Sequence, residues 1–130
     1  MRQLVIDRNR WYRGEGFGGG SLLQPDGKMD CIGFYAVACG VDPENLDVGT
    51  PAAIRAHLPR EMSWLLGDHW NSFECRMLGW ANDMKMDEAD REECIAGLFS
   101  HHEVYVEFVN GKAPKHKGAD DGEASGSSET

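Results

Sequence analysis

The large apolar residues of this 130-residue chain stop at Val109, and this boundary limits what the chain can fold into. Residues 111–130 are rich in Gly, Ala, Ser and charge, so they bury too little apolar surface to offset the entropy lost on ordering. We therefore predict one globular domain over residues 1–110 and a disordered polar tail over residues 111–130. A domain of that size forms one core and has room for one substantial site.

Short runs rich in β-branched residues lie at both ends of the predicted domain. The first contains Leu4, Val5 and Ile6, and the second covers residues 104–109 and alternates apolar side chains onto one face. Both runs are typical of β-strands. We expect the two strands to lie side by side, which would fix both ends of the domain.

Helical periodicity dominates the sequence between the two strands. One helix is predicted from Asp30, placed as its N-cap, to Gly40, and a short one from Thr50-Pro51 to Pro59. A longer helix over residues 70–83 carries an apolar stripe, and another begins at Asp87 and ends near His101. The stripe of the longer helix comprises Trp70, Phe73, Met77, Trp80 and Met84. The predicted fold class is α+β, a single small domain with three or four helices packed on a small β-sheet that contains the N- and C-terminal strands.

Charge is distributed unevenly along an acidic chain of net charge −9. Such a chain repels phosphate backbones at long range, so no direct binding of nucleic acid is expected. Residues 1–20 contain four arginines and two acids, whereas residues 82–103 contain seven acids and two basic residues. The second segment predicts a strongly acidic helix surface suited to a basic partner.

The sequence favours a cytoplasmic protein. No run of about 18 apolar residues is present, so no membrane span is expected, and charges at positions 7, 8 and 10 interrupt the apolar core that a signal peptide needs. The four cysteines are then expected to be reduced core residues. By its position at the start of a predicted helix alone, Cys31 should have the lowest thiol pKa of the four, and the neighbouring Asp30 opposes this effect.

Residues 27–40, GKMDCIGFYAVACG, resemble a motif of small phage, prophage and bacterial proteins that share the pattern GKM-x-C-[IL]-GF. Trp11, Asn82-Asp83 and the closing Val-Glu-Phe-Val agree with the same group, and the resemblance covers about residues 3–109. Members often carry two adjacent cysteines where this chain has Asp30-Cys31. The group has no known activity, so the resemblance implies an accessory protein of a phage or prophage, a class in which some small acidic proteins inhibit host machinery.

Patterns for metal binding and catalysis are weak in this chain. Cys31 and Cys39 would lie about 12 Å apart on one helix, too far to share a zinc ion, and neither CxxC nor HxxxH occurs. We therefore expect no metal and no cofactor, although Cys75 or Cys94 could still meet His101 across elements. Carboxylates at Asp26 or at 83, 87 and 90 are explained by turns and helix caps, and no catalytic residue is assigned.

The sequence thus predicts a non-enzymatic interaction protein that binds a host or phage protein, including one that normally receives nucleic acid. Tryptophans anchor protein interfaces, and Trp64, Trp70 and Trp11 are expected to be partly exposed. The predicted interaction surface comprises Asp83, Asp87, Glu88, Asp90, Glu93, Trp70 and Trp64. One alternative is a small metal-assisted hydrolase or nuclease. Another is a virion or assembly component, for which a defined homo-oligomer would be the sign.

Overall fold

Two parallel strands join the ends of the domain in a computed structural model, which describes residues 1–15 and 22–115. Strand β1 (Arg2–Asp7) pairs with strand β2 (Val104–Val109), with Arg2 opposite Val104 and Asp7 opposite Val109. Leu4, Ile6 and Val104 are buried, as the alternation predicts. The predicted pairing of first and last strands is confirmed. The predicted tail lies outside the described residues from position 116 onward.

The domain contains three α-helices in the described residues: α1 (Cys31–Ala38), α2 (Phe73–Asp83) and α3 (Glu88–Ser100). Helices α1 and α3 pack on the sheet, and α2 packs on α1 and α3. Two of their predicted caps are confirmed. The Asp30 carboxylate accepts a hydrogen bond of 2.7 Å from the Gly33 N–H, and Asp87 accepts one of 3.1 Å from the Asp90 N–H. Gly40 follows α1 with φ of 97°, a conformation that ends a helix and suits glycine. The α+β class predicted from the sequence is therefore correct.

The connections contain short 3₁₀ segments rather than further α-helices. They cover Arg8–Arg10, Pro43–Leu46, Pro51–His57 and Arg60–Leu65. The short helix predicted from Thr50-Pro51 is present as the 3₁₀ segment Pro51–His57, in which the backbone at Ile54 is not helical and the Thr50 hydroxyl does not cap the segment.

The longer predicted helix begins at Phe73 rather than at Trp70. A turn precedes it, in which the Gly67 N–H donates to the Trp70 carbonyl at 2.7 Å. Ser72 is the N-cap, and its hydroxyl accepts from the Cys75 N–H at 3.1 Å. The stripe that includes Trp70 therefore starts in a loop and continues along the helix.

The core lies between the sheet and the inner faces of the three helices. Helix α2 contributes Cys75, Leu78, Ala81 and Asn82 to it. Trp11 is 3% exposed, so the prediction that it is partly exposed is wrong. A Cβ at Gly33 would lie 2.5 Å from the Leu22 carbonyl oxygen, so this glycine of the motif allows α1 to pack directly on the backbone before it. None of the helices in the described part of the chain is long and apolar enough to cross a membrane.

Candidate functional site

Asn82, at the end of α2, joins the N-terminal segment to the start of α1. Its side chain is fully buried, and its Oδ1 accepts from the Trp11 Nε1–H at 2.8 Å and from the Cys31 N–H at 3.0 Å. Its Nδ2 donates to the Tyr12 carbonyl at 3.1 Å and to the Asp83 Oδ1 at 2.9 Å. All the hydrogen-bonding groups of this amide are thereby used, and the next residue, Asp83, is held in a defined position.

Arg91 of α3 closes the same end of α2. Its side chain is 1% exposed, and its Nη1 donates to the carbonyls of Ala81, Asn82 and Met84 at 2.7–2.9 Å. A buried cation at the carbonyl end of a helix complements the helix dipole. Glu88 supplies its counter-charge at 3.1 Å. This pairing fixes the angle between α2 and α3.

The basic N-terminal segment lies against the acidic helix. Arg8 forms a bidentate ion pair with Glu92, with N–O distances of 2.8 and 2.9 Å, and Arg13 pairs with Glu88 at 2.9 Å. The two oppositely charged segments of the sequence therefore neutralise part of each other's charge. Glu88 of the predicted interaction surface serves this internal contact, and Asp87 serves as the N-cap of α3.

A cavity of about 420 Å³ opens between α1, α2 and residues 49–51. Its polar lining includes Asp30 at the start of α1, Asp83 at the end of α2, Thr50, Asn71 and the cation Arg76. Apolar walls are supplied by Leu22, Ile32, Pro51 and Trp80. This combination of apolar walls and a few convergent polar groups is typical of ligand sites.

The two carboxyl groups of the cavity are both shifted toward the neutral form. Burial raises the pKa of Asp30 from 3.8 to about 7, with a further rise from the charge of Asp83, and the Gly33 N–H opposes the shift. Burial also raises the pKa of Asp83, against the Asn82 amide and the charge of Arg91. The cavity thus holds two interacting carboxyl groups that gain from a nearby positive charge.

Thr50 lines this cavity, but its hydroxyl oxygen lies beneath the surface. The Oγ1 has almost no accessible area and no hydrogen-bond partner among residues 1–15 and 22–115. A buried hydroxyl without a partner is unfavourable, since it loses water and gains nothing in return.

The outer face of α2 is apolar where a solvent-facing helix is normally polar. Trp70, Phe73 and Trp80 are 58%, 66% and 42% exposed, and Met77 lies among them. We call Trp70, Phe73, Met77 and Trp80 the aromatic face. The sequence pattern left open whether this stripe meets the core or a partner, and the structure places it outside the core. Trp80 lines both the aromatic face and the acidic cavity.

The sequence-predicted surface residues occupy several different places. Trp70 lies on the aromatic face and Asp83 in the cavity, while Asp90 and Glu93 lie on the exposed side of α3. Trp64 is partly buried, stacks on His102 with ring centroids 3.8 Å apart, and donates its Nε1–H to the Tyr35 hydroxyl at 3.0 Å. The structure does not gather the seven residues into one patch.

Sequence reasoning missed Asp30 and Thr50 as cavity residues. Asp30 is the helix cap that the sequence predicts. Its place in the cavity depends on α2, which follows some 50 positions later in the chain, so it is not visible in the local sequence. The signal that pointed toward the site was Asn82-Asp83, two short polar residues at a helix end.

The four cysteines are free thiols, and none is activated. Burial raises the pKa of the Cys31 thiol well above its usual range, so the prediction that Cys31 has the lowest thiol pKa is wrong. The position at a helix N-terminus is outweighed by the loss of water and by the charges of Asp30 and Asp83. Burial raises the pKa of Cys75 to about 12 and that of Cys39 to about 11.

Within the described ranges, no three His, Cys, Asp or Glu side chains are grouped closely enough to hold a metal ion. Comparison with protein-family models, curated proteins and solved structures finds no match to this chain.

Proposed function

We propose that this chain is a non-enzymatic interaction protein that binds another protein, of a host cell or a phage, through the aromatic face. The observation that carries the proposal is the exposure of Phe73 and Trp80 on the outer side of α2, with Trp70 exposed in the turn before the helix. In this proposal the protein acts in the cytoplasm, which is that of the host cell if a phage encodes the chain.

Exposed aromatic side chains in this number are unusual on a domain of about 110 residues. Each has a large apolar area that is removed from water when a partner covers it, and such residues dominate the energetics of protein interfaces. The inner face of α2 already packs on the core through Leu78 and Ala81. The aromatic face lies outside this core, and a partner is the ordinary explanation for it.

Charge indicates what kind of partner fits this face. The chain carries a net charge of −9, and the acidic cavity opens beside Trp80. A partner segment that is both apolar and basic would complement it, and the surfaces of nucleic-acid-binding proteins provide such segments. Association should then weaken as salt screens the attraction.

The test compares variants of the aromatic face with a matched aromatic elsewhere. Phe73→Ser and Trp80→Ser remove exposed rings, and Tyr105→Ser removes a ring on β2 that is 60% exposed. The full chain and each variant are used as bait in lysate of the natural host, with native mass spectrometry of the captured complex.

We expect one partner at fixed stoichiometry, retained by Tyr105→Ser, lost with Phe73→Ser and Trp80→Ser, and weakened by salt. Equal capture by all four chains would contradict the proposal. A homo-oligomer of the purified chain that dissociates on Phe73→Ser would instead favour a virion or assembly component.

A further inference from the structure

We propose that the groove between β2 and α3 binds an extended, basic segment of another protein, which pairs antiparallel with β2 as a third strand. We call this site the β2 groove. It shares no residue with the aromatic face, so the inference does not rest on the proposed function. Three observations support it: the free edge of β2, the shape of the groove and the charge of α3.

The outer edge of β2 carries backbone groups that lack backbone partners. The Arg2 N–H donates to the Glu103 carbonyl at 3.1 Å, so residues 103, 105 and 107 turn their backbone groups toward β1. Backbone groups alternate in direction along a strand, and those of Val104, Val106 and Phe108 therefore point away from β1. Among residues 1–15 and 22–115, no backbone group bonds to them on that side. An unpaired edge of this kind is a template for another strand.

A groove of about 510 Å³ lies beside this edge. On one side it is lined by Val106 and Phe108, whose side chains are partly buried. On the other side it is lined by one face of α3, with the spacing i, i+3, i+4 and i+7. The residues of this face are Ala89, Glu92, Glu93 and Ala96. The two alanines are small, which leaves room between helix and strand for a ligand's side chains.

The strand edge and the helix face together select an extended ligand. In antiparallel pairing, a residue opposite Val106 or Phe108 bonds to the edge through its own N–H and C=O. Its side chain lies on the same face of the sheet as theirs, toward α3. A helix cannot bind in this way, because its backbone groups are already bonded internally. Alternate residues of the ligand should therefore be apolar, and β-branched side chains suit them best.

Charge indicates that the segment belongs to another protein. Residues 82–103, which include α3, contain seven acids and two basic residues, so a ligand with lysine or arginine is favoured. Pairing of two β2 edges would place two α3 helices on one face of the joined sheet, with Glu92 and Glu93 of both copies close together. Like charges in that position disfavour a second copy.

The chain's own C-terminal segment does not fill this edge in the part that the structure describes. It turns sharply at Asn110 and Gly111, with φ of 61° and 60°, and Pro114 and Lys115 then line the groove. Residues 112–115 make no backbone hydrogen bond with β2, and proline has no N–H to donate. The hydrogen-bonding positions of the edge are thus left for a ligand.

A synthetic peptide tests the groove without the natural partner. Acetyl-Lys-Val-Thr-Val-Thr-Val-Lys-amide is added to the ¹⁵N-labelled full chain at low salt, and amide shifts and amide exchange are followed. We expect saturable binding, with downfield shifts and slower exchange at Val106 and Phe108, because their N–H groups gain acceptors. The Glu107 N–H faces β1 and serves as the internal control.

Three modified peptides make the result specific to strand addition by a basic ligand. N-methylation of the central valine removes an N–H that faces β2 and should weaken binding by about tenfold or more. N-methylation of a neighbouring threonine removes an N–H that faces solvent and should weaken it by less than about threefold. Glutamate in place of both lysines should weaken binding at low salt by about threefold or more.

A matched pair of variants places the peptide beside α3. Ala96→Leu puts a larger side chain into the groove and should weaken binding by about fivefold or more. Gly97→Leu adds the same side chain on the exposed side of α3 and should leave binding unchanged. Both should fold, because Ala96 is partly exposed and a Cβ at Gly97 would meet no atom within 4 Å.

Several outcomes would overturn the proposal. They are the absence of saturable shifts at millimolar peptide, equal weakening by the two N-methylated peptides, equal binding of the glutamate peptide, and binding indifferent to Ala96→Leu. Slow exchange of the Val106 and Phe108 amides in the dilute chain without peptide would also overturn it, since the edge would then be occupied by this chain itself. Protection that grows with protein concentration would assign the edge to a second copy instead.

Discussion

Asn82 shows how a single polar residue can hold three separate segments together. It receives donors from Trp11 and Cys31 and donates to the carbonyl of Tyr12, all inside the core. Asn82→Ala would leave two buried N–H groups and a carbonyl without partners. We expect a loss of roughly 2–4 kcal/mol in the free energy of unfolding, measured by urea denaturation.

Asn45→Ala is the matched control, since Asn45 is exposed in the 3₁₀ segment Pro43–Leu46. It should change the free energy of unfolding by less than about 0.5 kcal/mol. An equally small change for Asn82→Ala would show that the hydrogen bonds of Asn82 do not stabilise the fold.

Asp30 makes stability depend on pH in the direction opposite to that of a salt-bridged carboxylate. Its pKa is about 7 in the fold and about 3.9 in an unfolded chain, so between these values the folded chain holds an extra proton. Stability therefore falls as pH rises through about 7. Because Asp30→Asn keeps the capping oxygen but does not titrate, its stability relative to the original chain should increase by about 2–3 kcal/mol between pH 5 and pH 8.

Urea denaturation at pH 5, 6.5 and 8 measures this difference, and Asp26→Asn is the control. Asp26 likewise accepts from a backbone N–H, that of Lys28 at 2.9 Å, but is exposed. If the difference in stability between Asp30→Asn and the original chain stayed constant with pH, the Asp30 carboxyl would not have a raised pKa in the fold. The fold thus holds a carboxylate at a position where an amide would be more stable above neutral pH, as is common at binding sites.

At the scale of the element, short-range signals predicted most of the fold. The caps at Asp30 and Asp87, the glycine at position 40 and the alternation in β2 all act within a few residues, and all are present in the structure. Such signals depend on backbone donors close in sequence. They therefore do not require knowledge of the tertiary structure.

The orientation of α2 could not be predicted in this way. The helix carries two stripes, and the buried one contains small or polar residues such as Cys75, Ala81 and Asn82. The larger aromatic side chains of the other stripe dominate any hydrophobicity pattern. Tertiary contacts decide which face is buried, including those of Asn82 with Trp11, which is far away in sequence, and with Arg91 of the next helix. The cavity depends on the same contacts, which explains why Asp30 and Thr50 were missed.

The ion pair between Arg8 and Glu92 ties the N-terminal segment to α3, and the chain contains a matched pair for comparison. Both side chains of Arg8–Glu92 are 12% exposed, whereas those of Arg2–Glu61 are 34% and 43% exposed. Double-mutant cycles with glutamine should give a coupling energy of about 1–3 kcal/mol for the first pair and a clearly smaller one for the second.

Salt distinguishes the two pairs further. Screening by 1 M NaCl should nearly abolish the coupling of Arg2–Glu61 and leave most of that of Arg8–Glu92, because buried charges are screened less. Equal coupling energies at low salt would mean that the burial of Arg8–Glu92 contributes nothing to its strength.

At the scale of the whole molecule, the chain closes on itself. Among residues 1–15 and 22–115, strand β1 is the first element and β2 the last, and they pair directly, so the helices described lie within the loop that this sheet closes. Closing so long a loop is entropically costly before the helices pack, and the pairing can persist only with the rest of the domain folded. The sheet should therefore open only when the whole domain unfolds.

Hydrogen exchange as a function of denaturant tests this dependence. The amides that bond across β1 and β2 should exchange with the free energy and denaturant slope of global unfolding. Amides of the more exposed 3₁₀ segments Pro43–Leu46 and Pro51–His57 should exchange by local opening, with a slope near zero. If the strand amides exchanged independently of denaturant while those of α2 and α3 stayed protected, the helices would form the stable unit without the sheet. In that case neither the ion pair Arg8–Glu92 nor the burial of Leu4 and Ile6 would be enough to hold β1 against the helices.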